Sequence, residues 1–196
     1  MIKRRDILAG LITSFASSAM AQSVYLDPNN SNNIIISGNR NNEQRNISSF
    51  KNHSWEEYFE NTNNGVILVD INSRVLNFWS EDRKIYKIYP CSVPMSEELT
   101  KRGKTKIIKK VKDPTWRPTP SMKERNPDWP DEIGPGPENP LGTHALYLSW
   151  QYFRIHGTHE DGKIGRRSSN GCIGLYNHHI NELYNLVKIN TQVIFI

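Results

Sequence analysis

The sequence predicts a mainly β domain, sandwich- or barrel-like, with one or two packed helices. Three observations carry this. Short runs rich in β-branched and aromatic residues recur from residue 65 to the C-terminus, a proline-dense stretch interrupts them, and one late segment keeps a helical period. Neither βαβ alternation nor a glycine-rich phosphate loop occurs, which favours strands packed on strands over an alternating α/β plan.

Residues 1–21 follow a secretory plan: Lys3, Arg4 and Arg5 form a basic n-region, residues 7–15 are mainly apolar, and Ala19-Met20-Ala21 offers small residues for cleavage. Thr13 and Ser14 interrupt the apolar stretch, which falls short of the roughly 20 residues a membrane span needs. Cleavage after Ala21, rather than a lasting anchor, is therefore expected. Arg4-Arg5 also resembles the twin-arginine export pattern. Residues 22–54 are crowded with asparagine and show little apolar periodicity, so a flexible lead-in is expected there.

The globular domain is assigned to residues 55–196. It opens with the short amphipathic stretch of residues 55–59, then residues 65–71, whose continuous β-branched run reads as a buried strand. Residues 75–79 and 84–93 read as the next two strands with a turn at Glu81-Asp82, giving a β-meander. Seven basic residues fall among the twelve of 101–112, and their interleaving with Ile107, Ile108 and Val111 suits the solvated face of a strand better than a nucleic-acid patch. Eight prolines in residues 113–143 argue against a helix or a central strand there. A loop of that length usually has a function, and Trp116 and Trp129 would pack it onto the domain as a lid or groove wall. Residues 145–150 and 152–155 follow as strands. Asn177 is placed to cap a helix that buries Ile180, Leu183, Tyr184 and Val187, and residues 193–196 close as a strand.

Hydrophobic residues make up 36% of the 196-residue chain, enough for one domain with a core. Loss of residues 1–21 removes three basic groups and one acid, lowering the formal +5 to about +3. That suits an anionic polymer such as a cell wall, and it is too small to argue for nucleic acid. Of the two cysteines, Cys91 and Cys172, an oxidising compartment would ordinarily make a disulfide. The surroundings of Cys172 argue instead for a free thiol, with Cys91 as a small buried apolar residue.

The chemistry lies in Ile155-His156-Gly157-Thr158 and Ser168-Ser169-Asn170-Gly171-Cys172-Ile173. A thiol with a pKa near 8.5 needs a base or a cation beside it to act as a nucleophile at neutral pH. His156 ends a predicted strand, and a loop of about a dozen residues can return Cys172 to it. Gly171 lets the backbone turn sharply, so that nearby amides face a developing oxyanion. The alternative is a strand-end histidine and a buried cysteine with no chemistry between them. Zinc is not expected, because His156, His159, Cys172, His178 and His179 fit no familiar ligand spacing.

These motifs, the first extended back to Arg154, with Pro118-Thr119-Pro120-Ser121-Met122, Gly136-Pro137-Glu138-Asn139-Pro140-Leu141-Gly142-Thr143, Ala145-Leu146-Tyr147-Leu148 and Ile164-Gly165, resemble the L,D-transpeptidase catalytic domain from about Trp55 onward. The resemblance implies an exported enzyme of the periplasm or cell wall that needs no cofactor and acts on peptidoglycan stems. Cys172 would attack the carbonyl after the third residue of a tetrapeptide, releasing terminal D-alanine, and an amine, including one on a wall or surface protein, would take the acyl group. It also implies His156 as base, the Gly157 carbonyl as orienter of the imidazole, and oxyanion contacts around Asn170, Gly171 and Cys172, with Thr158, Ser169 and Trp116 along the groove. The chain departs from the family at Asn170, where many members carry histidine, and at Gly174, where relatives commonly present arginine. Gly174 is expected to open space near the thioester. It also motivates a rival reading, a peptidoglycan-binding module of the same fold with impaired catalysis.

Overall fold

A computed structural model describes residues 23–26, 34–37 and 52–196. The expected export signal and most of the expected lead-in lie outside these residues. In the N-terminal unit, β1 (Ser23–Leu26) and β2 (Ile34–Ser37) pair antiparallel, with Ser23 opposite Ser37 and Leu26 opposite Ile34. Val24-Tyr25-Leu26 and Ile34-Ile35-Ile36 are β-prone runs that the surrounding asparagines mask in composition.

The second unit is built on one curled, mainly antiparallel sheet of eight strands. Its strands in sequence order are β3 (Val66–Asp70), β4 (Val75–Trp79), β5 (Tyr86–Pro90), β7 (Gly103–Lys112), β8 (His144–Leu148), β9 (Arg154–His156), β11 (Ile173–Gly174) and β12 (Gln192–Phe195). In space they run β11-β9-β8-β7-β12-β3-β4-β5. Two short strands, β6 (Val93–Pro94) and β10 (Arg167–Ser169), pair separately. The expected meander is β3-β4-β5. The C-terminal strand takes a central place, antiparallel to β7 and parallel to β3. Both β3 and β12 lack polar alternation over Val66 to Val69 and Val193 to Phe195, and these residues are buried. A strand covered on both faces reads in this way.

On β7 the lysines alternate outward as expected: Lys104 and Lys106 are exposed while Ile107 is fully buried. A register shift between Ile107 and Lys109 then breaks the alternation, leaving Ile108 half exposed. Contrary to the sequence reading, the proline-dense stretch holds a helix, α1 (Pro120–Arg125). Pro120 stands in its first turn, where no backbone donor is needed, and the Thr119 hydroxyl accepts the Met122 N–H at 3.3 Å. No proline falls between residues 121 and 126 to break it.

The stretch is fastened at two points. Trp116 and Ile133 exchange both backbone hydrogen bonds, and the Trp116 and Trp129 rings meet edge to face at 5.7 Å. Asn139, fully buried, donates its amide to the Pro114 and Gly134 carbonyls and accepts the Leu141 N–H.

Helix α2 (Asn177–Leu186) packs on β8 and β9 through Ile180 and Leu183, the face that the helical period predicts. Asn177 is not its cap. Tyr176 holds that position, and the Asn177 amide turns back to accept the N–H groups of Thr143 and Thr158 and donate to the Thr158 carbonyl at 2.7 Å. A Cβ on either Gly142 or Gly157 would collide with this side chain, so both glycines make room for it. Gly142 also has φ +61, which suits glycine.

Asn177→Ala should leave the part-buried Thr158 amide unpartnered, with the exposed Thr143 amide turned to water, and lower the unfolding free energy by about 1–3 kcal/mol. Urea denaturation measures this, and an unchanged midpoint would deny the side chain its clamping role.

Candidate active site

Strands β9 and β11 run parallel, with Ile155 beside Ile173 and His156 beside Gly174. Both isoleucines are fully buried in the core. Alternation along each strand therefore turns Arg154, His156, Cys172 and Gly174 to the opposite face. That face lines a cavity of about 510 Å³, together with Thr158 and Ser169, and Trp116 and Trp129 wall its far side. All the residues picked out from sequence for catalysis or the groove thus gather around one cavity, except that Gly157 sits behind it as a fully packed neighbour of Asn177.

The His156 ring is oriented by its Nδ1, which lies 2.6 Å from the Gly157 carbonyl. A carbonyl only accepts, so Nδ1 carries the proton and the Nε2 lone pair is free. Burial pushes the imidazole pKa down to about 4; the Gly157 hydrogen bond opposes the shift, while nearby Arg154 and His159 add to it. His156 is a neutral base throughout the neutral range.

The Cys172 thiol donates to the Tyr152 carbonyl at 3.5 Å. Burial raises its pKa, and the charge and main-chain amide of Arg154 oppose that rise. The resting pair is therefore a protonated thiol and a neutral imidazole.

The turn before Cys172 depends on Gly171, whose φ of +123 is a conformation that other residues rarely adopt. The Ser169 hydroxyl donates to the Cys172 carbonyl at 2.5 Å and accepts the Gly171 N–H at 3.3 Å. Asn170 points away from this hub, accepting from Arg125 of α1 at 3.0 Å and so linking the proline-dense stretch to the turn. Thr158 is buried, exchanging hydrogen bonds with the Glu160 backbone.

The expectation that Gly174 opens space is not met. Gly174 and Ser92 bridge through their backbones, the Ser92 hydroxyl accepts the Gly174 N–H at 3.1 Å, and a Cβ at 174 would run into that hydroxyl. Serine occupies the place that a side chain would need. Cys91 is buried, and neither cysteine is in a disulfide. At the start of α2, His178 stacks on Tyr176 and His179 meets that ring edge to face, and among the described residues no three His, Cys, Asp or Glu side chains gather as metal ligands.

Sequence reasoning passed over Ser92 and the placement of Asn177, and it placed Arg154 and Asn139 in motifs without giving either a role. Only Arg154 left a usable signal, since it stands two residues before His156 on a predicted strand and so shares its face.

Residues 64–195 match the family described as YkuD, L,D-transpeptidase catalytic domain. Among individual proteins, the chain is 51% identical over 150 residues to a putative L,D-transpeptidase of Fuscovulum blasticum from the ATP synthase subunits region, covering 76% of this chain and 79% of that one. It is 32% identical over 132 residues to the probable L,D-transpeptidase ErfK/SrfK of Escherichia coli K12, spanning 65% of this chain and 42% of that protein. The fold matches L,D-transpeptidase 3 from Mycobacterium tuberculosis with a TM-score of 0.53 at 17% identity, over 68% of this chain and 61% of that one.

Three measurements test the site. The His156 proton signals should titrate with a midpoint near 4 rather than 6.5. Because the unfolded chain binds that proton first, stability should decline as pH falls from about 6.5 to 4, and His156→Gln should flatten the decline. Gly174→Ala should destabilise the protein by about 1–3 kcal/mol through overpacking against Ser92; a thermal midpoint equal to the parent's would contradict it.

Proposed function

The chain belongs to the L,D-transpeptidase catalytic-domain family, and we propose that it acts on peptidoglycan tetrapeptide stems through a thioester on Cys172. The observation that carries this reading is the imidazole of His156, fixed by the Gly157 carbonyl with Nε2 unprotonated, in the same cavity as the Cys172 thiol.

The steps follow from that arrangement. Nε2 of His156 takes the thiol proton as sulfur attacks the carbonyl carbon after the third stem residue. The carbonyl oxygen becomes an oxyanion, facing the Cys172 amide and the Gly171 amide once the latter leaves Ser169. Collapse breaks the C–N bond, and the departing D-alanine amine receives the proton from His156. An acceptor amine then gives a proton to His156 and attacks the thioester, expelling the sulfur, which takes that proton back.

The groove wall of Trp116 and Trp129 supports an extended, partly apolar ligand such as a stem peptide. We assign the site of action to the periplasm or cell wall, supported by the export-like residues 1–21 and by the relatives' chemistry. Among the described residues, no helix is long and apolar enough to cross a membrane. Diaminopimelate of a neighbouring stem is the default acceptor, giving a cross-link; lysine of a surface protein or water are the others. The binding-module rival rests on Gly174, whose contact with Ser92 gives that glycine a packing role.

The mature protein should convert tetrapeptide-rich peptidoglycan into cross-linked fragments with loss of D-alanine, read by mass spectrometry after muramidase digestion. Cys172→Ala should abolish the products and all thiol labelling at that position, and His156→Ala should slow acylation by about 10²-fold or more at neutral pH, with part recovered at higher pH. A fully active Cys172→Ala protein would sink the reading. Absence of every product from the folded parent would favour the binding module.

A further inference from the structure

Arg154 has no role in the steps above, yet its side chain is built into the same site. It follows Cys172 across the ladder: Ile155 lies beside Ile173, so the preceding residues, Arg154 and Cys172, are lateral neighbours on the cavity face. Its Nη1 donates to the Tyr152 carbonyl at 3.3 Å, the same oxygen that receives the Cys172 thiol. Two donors converging on one acceptor bring guanidinium and sulfur side by side. The Tyr147 ring, 4.7 Å from the guanidinium carbon, holds the plane in place. Nε is buried and has no hydrogen-bond partner. An unmet buried donor on a partly exposed guanidinium is costly at rest, and a negative charge arising nearby would relieve it.

We propose that Arg154 is the charge partner of the nucleophile, its guanidinium taking up the negative charge on Cys172 Sγ when His156 removes the proton. In that step the S–H bond breaks, its electron pair stays on sulfur, and the proton binds the Nε2 lone pair of His156. Sulfur ceases to be a donor to the Tyr152 carbonyl and becomes an acceptor, and the neighbouring guanidinium is the donor that meets it. The inference rests on the assignment of Cys172 as nucleophile.

Other charged or titratable groups border the cavity. His156 lies on β9 with Arg154, and His159 and Lys163 are on the loop that follows. Arg117 comes from the proline-dense stretch and Glu98 from the segment before β7. Of these, Arg154 is the one whose charge acts on the Cys172 thiol, against the effect of burial.

The test is a pH titration of thiolate absorbance near 240 nm on the full chain, with Cys172→Ala subtracted to remove Cys91, and the rate of iodoacetamide alkylation at pH 7.5. Arg154→Met should raise the apparent pKa of Cys172 by about one unit and slow alkylation about tenfold. Arg154→Lys should restore most of both. Should the Met variant unfold, Arg154→Gln, which keeps donors without charge, gives the same reading. Titration curves for the charge-free variants that overlay the parent's would overturn the pairing. A parent that forms no peptidoglycan product while showing the Arg154 shift would overturn the proposed function and leave the pairing standing.

Discussion

The arrangement of the site depends on one register, Ile155 beside Ile173 in the parallel pair β9–β11. Both side chains are sunk in the core, and alternation then delivers Cys172 and His156 to the same open face. A slip of one residue would turn the thiol into the core and bring an isoleucine to the cavity, so the core's demand for two apolar side chains also fixes the placement of the polar ones. The pair is short and lies at the sheet edge, which means that its neighbours must hold it. Ser92 bridges Gly174 from outside, and α2 packs on β8 and β9 from the core side.

The loops around that edge are held by asparagine amides as well as by apolar packing. Asn177 ties Thr143 to Thr158, one residue past the carbonyl that orients His156. Asn139 gathers Pro114, Gly134 and Leu141 and so closes the proline-dense stretch into a wall. Proline leaves backbone carbonyls without ladder partners, and a buried side-chain amide offers both donor and acceptor to satisfy them. The wall is thus a fastened structure that holds Trp116 and Trp129 against the cavity.

Electrostatically, the site rests uncharged at its reactive pair. Burial disfavours both thiolate and imidazolium, so each group is in its neutral form near neutral pH. The tautomer fixed by Gly157 leaves the useful nitrogen of His156 unprotonated, and the guanidinium of Arg154 stands beside the sulfur.

The sequence by itself determined the mainly β architecture, the meander of β3 to β5, the apolar face of α2 and the two motifs whose Cys172 and His156 line one cavity. Each of these is written in local alternation, helical period or a short motif, and needs no distant partner to be read. Gly171 was legible for the same reason, since a backbone with φ +123 admits little else. Only the tertiary structure decided the rest. Whether β12 lies at an edge or between β7 and β3 depends on pairing across more than a hundred residues of chain. Gly174 read as vacant space because no local signal reports that Ser92, 82 residues away, fills it. Asn177 read as a cap because a helix start predicts one, whereas its amide is drawn to two loop N–H groups that folding brings within reach. The place of Arg154 beside Cys172 follows from strand register, and a register exists only once two segments have met.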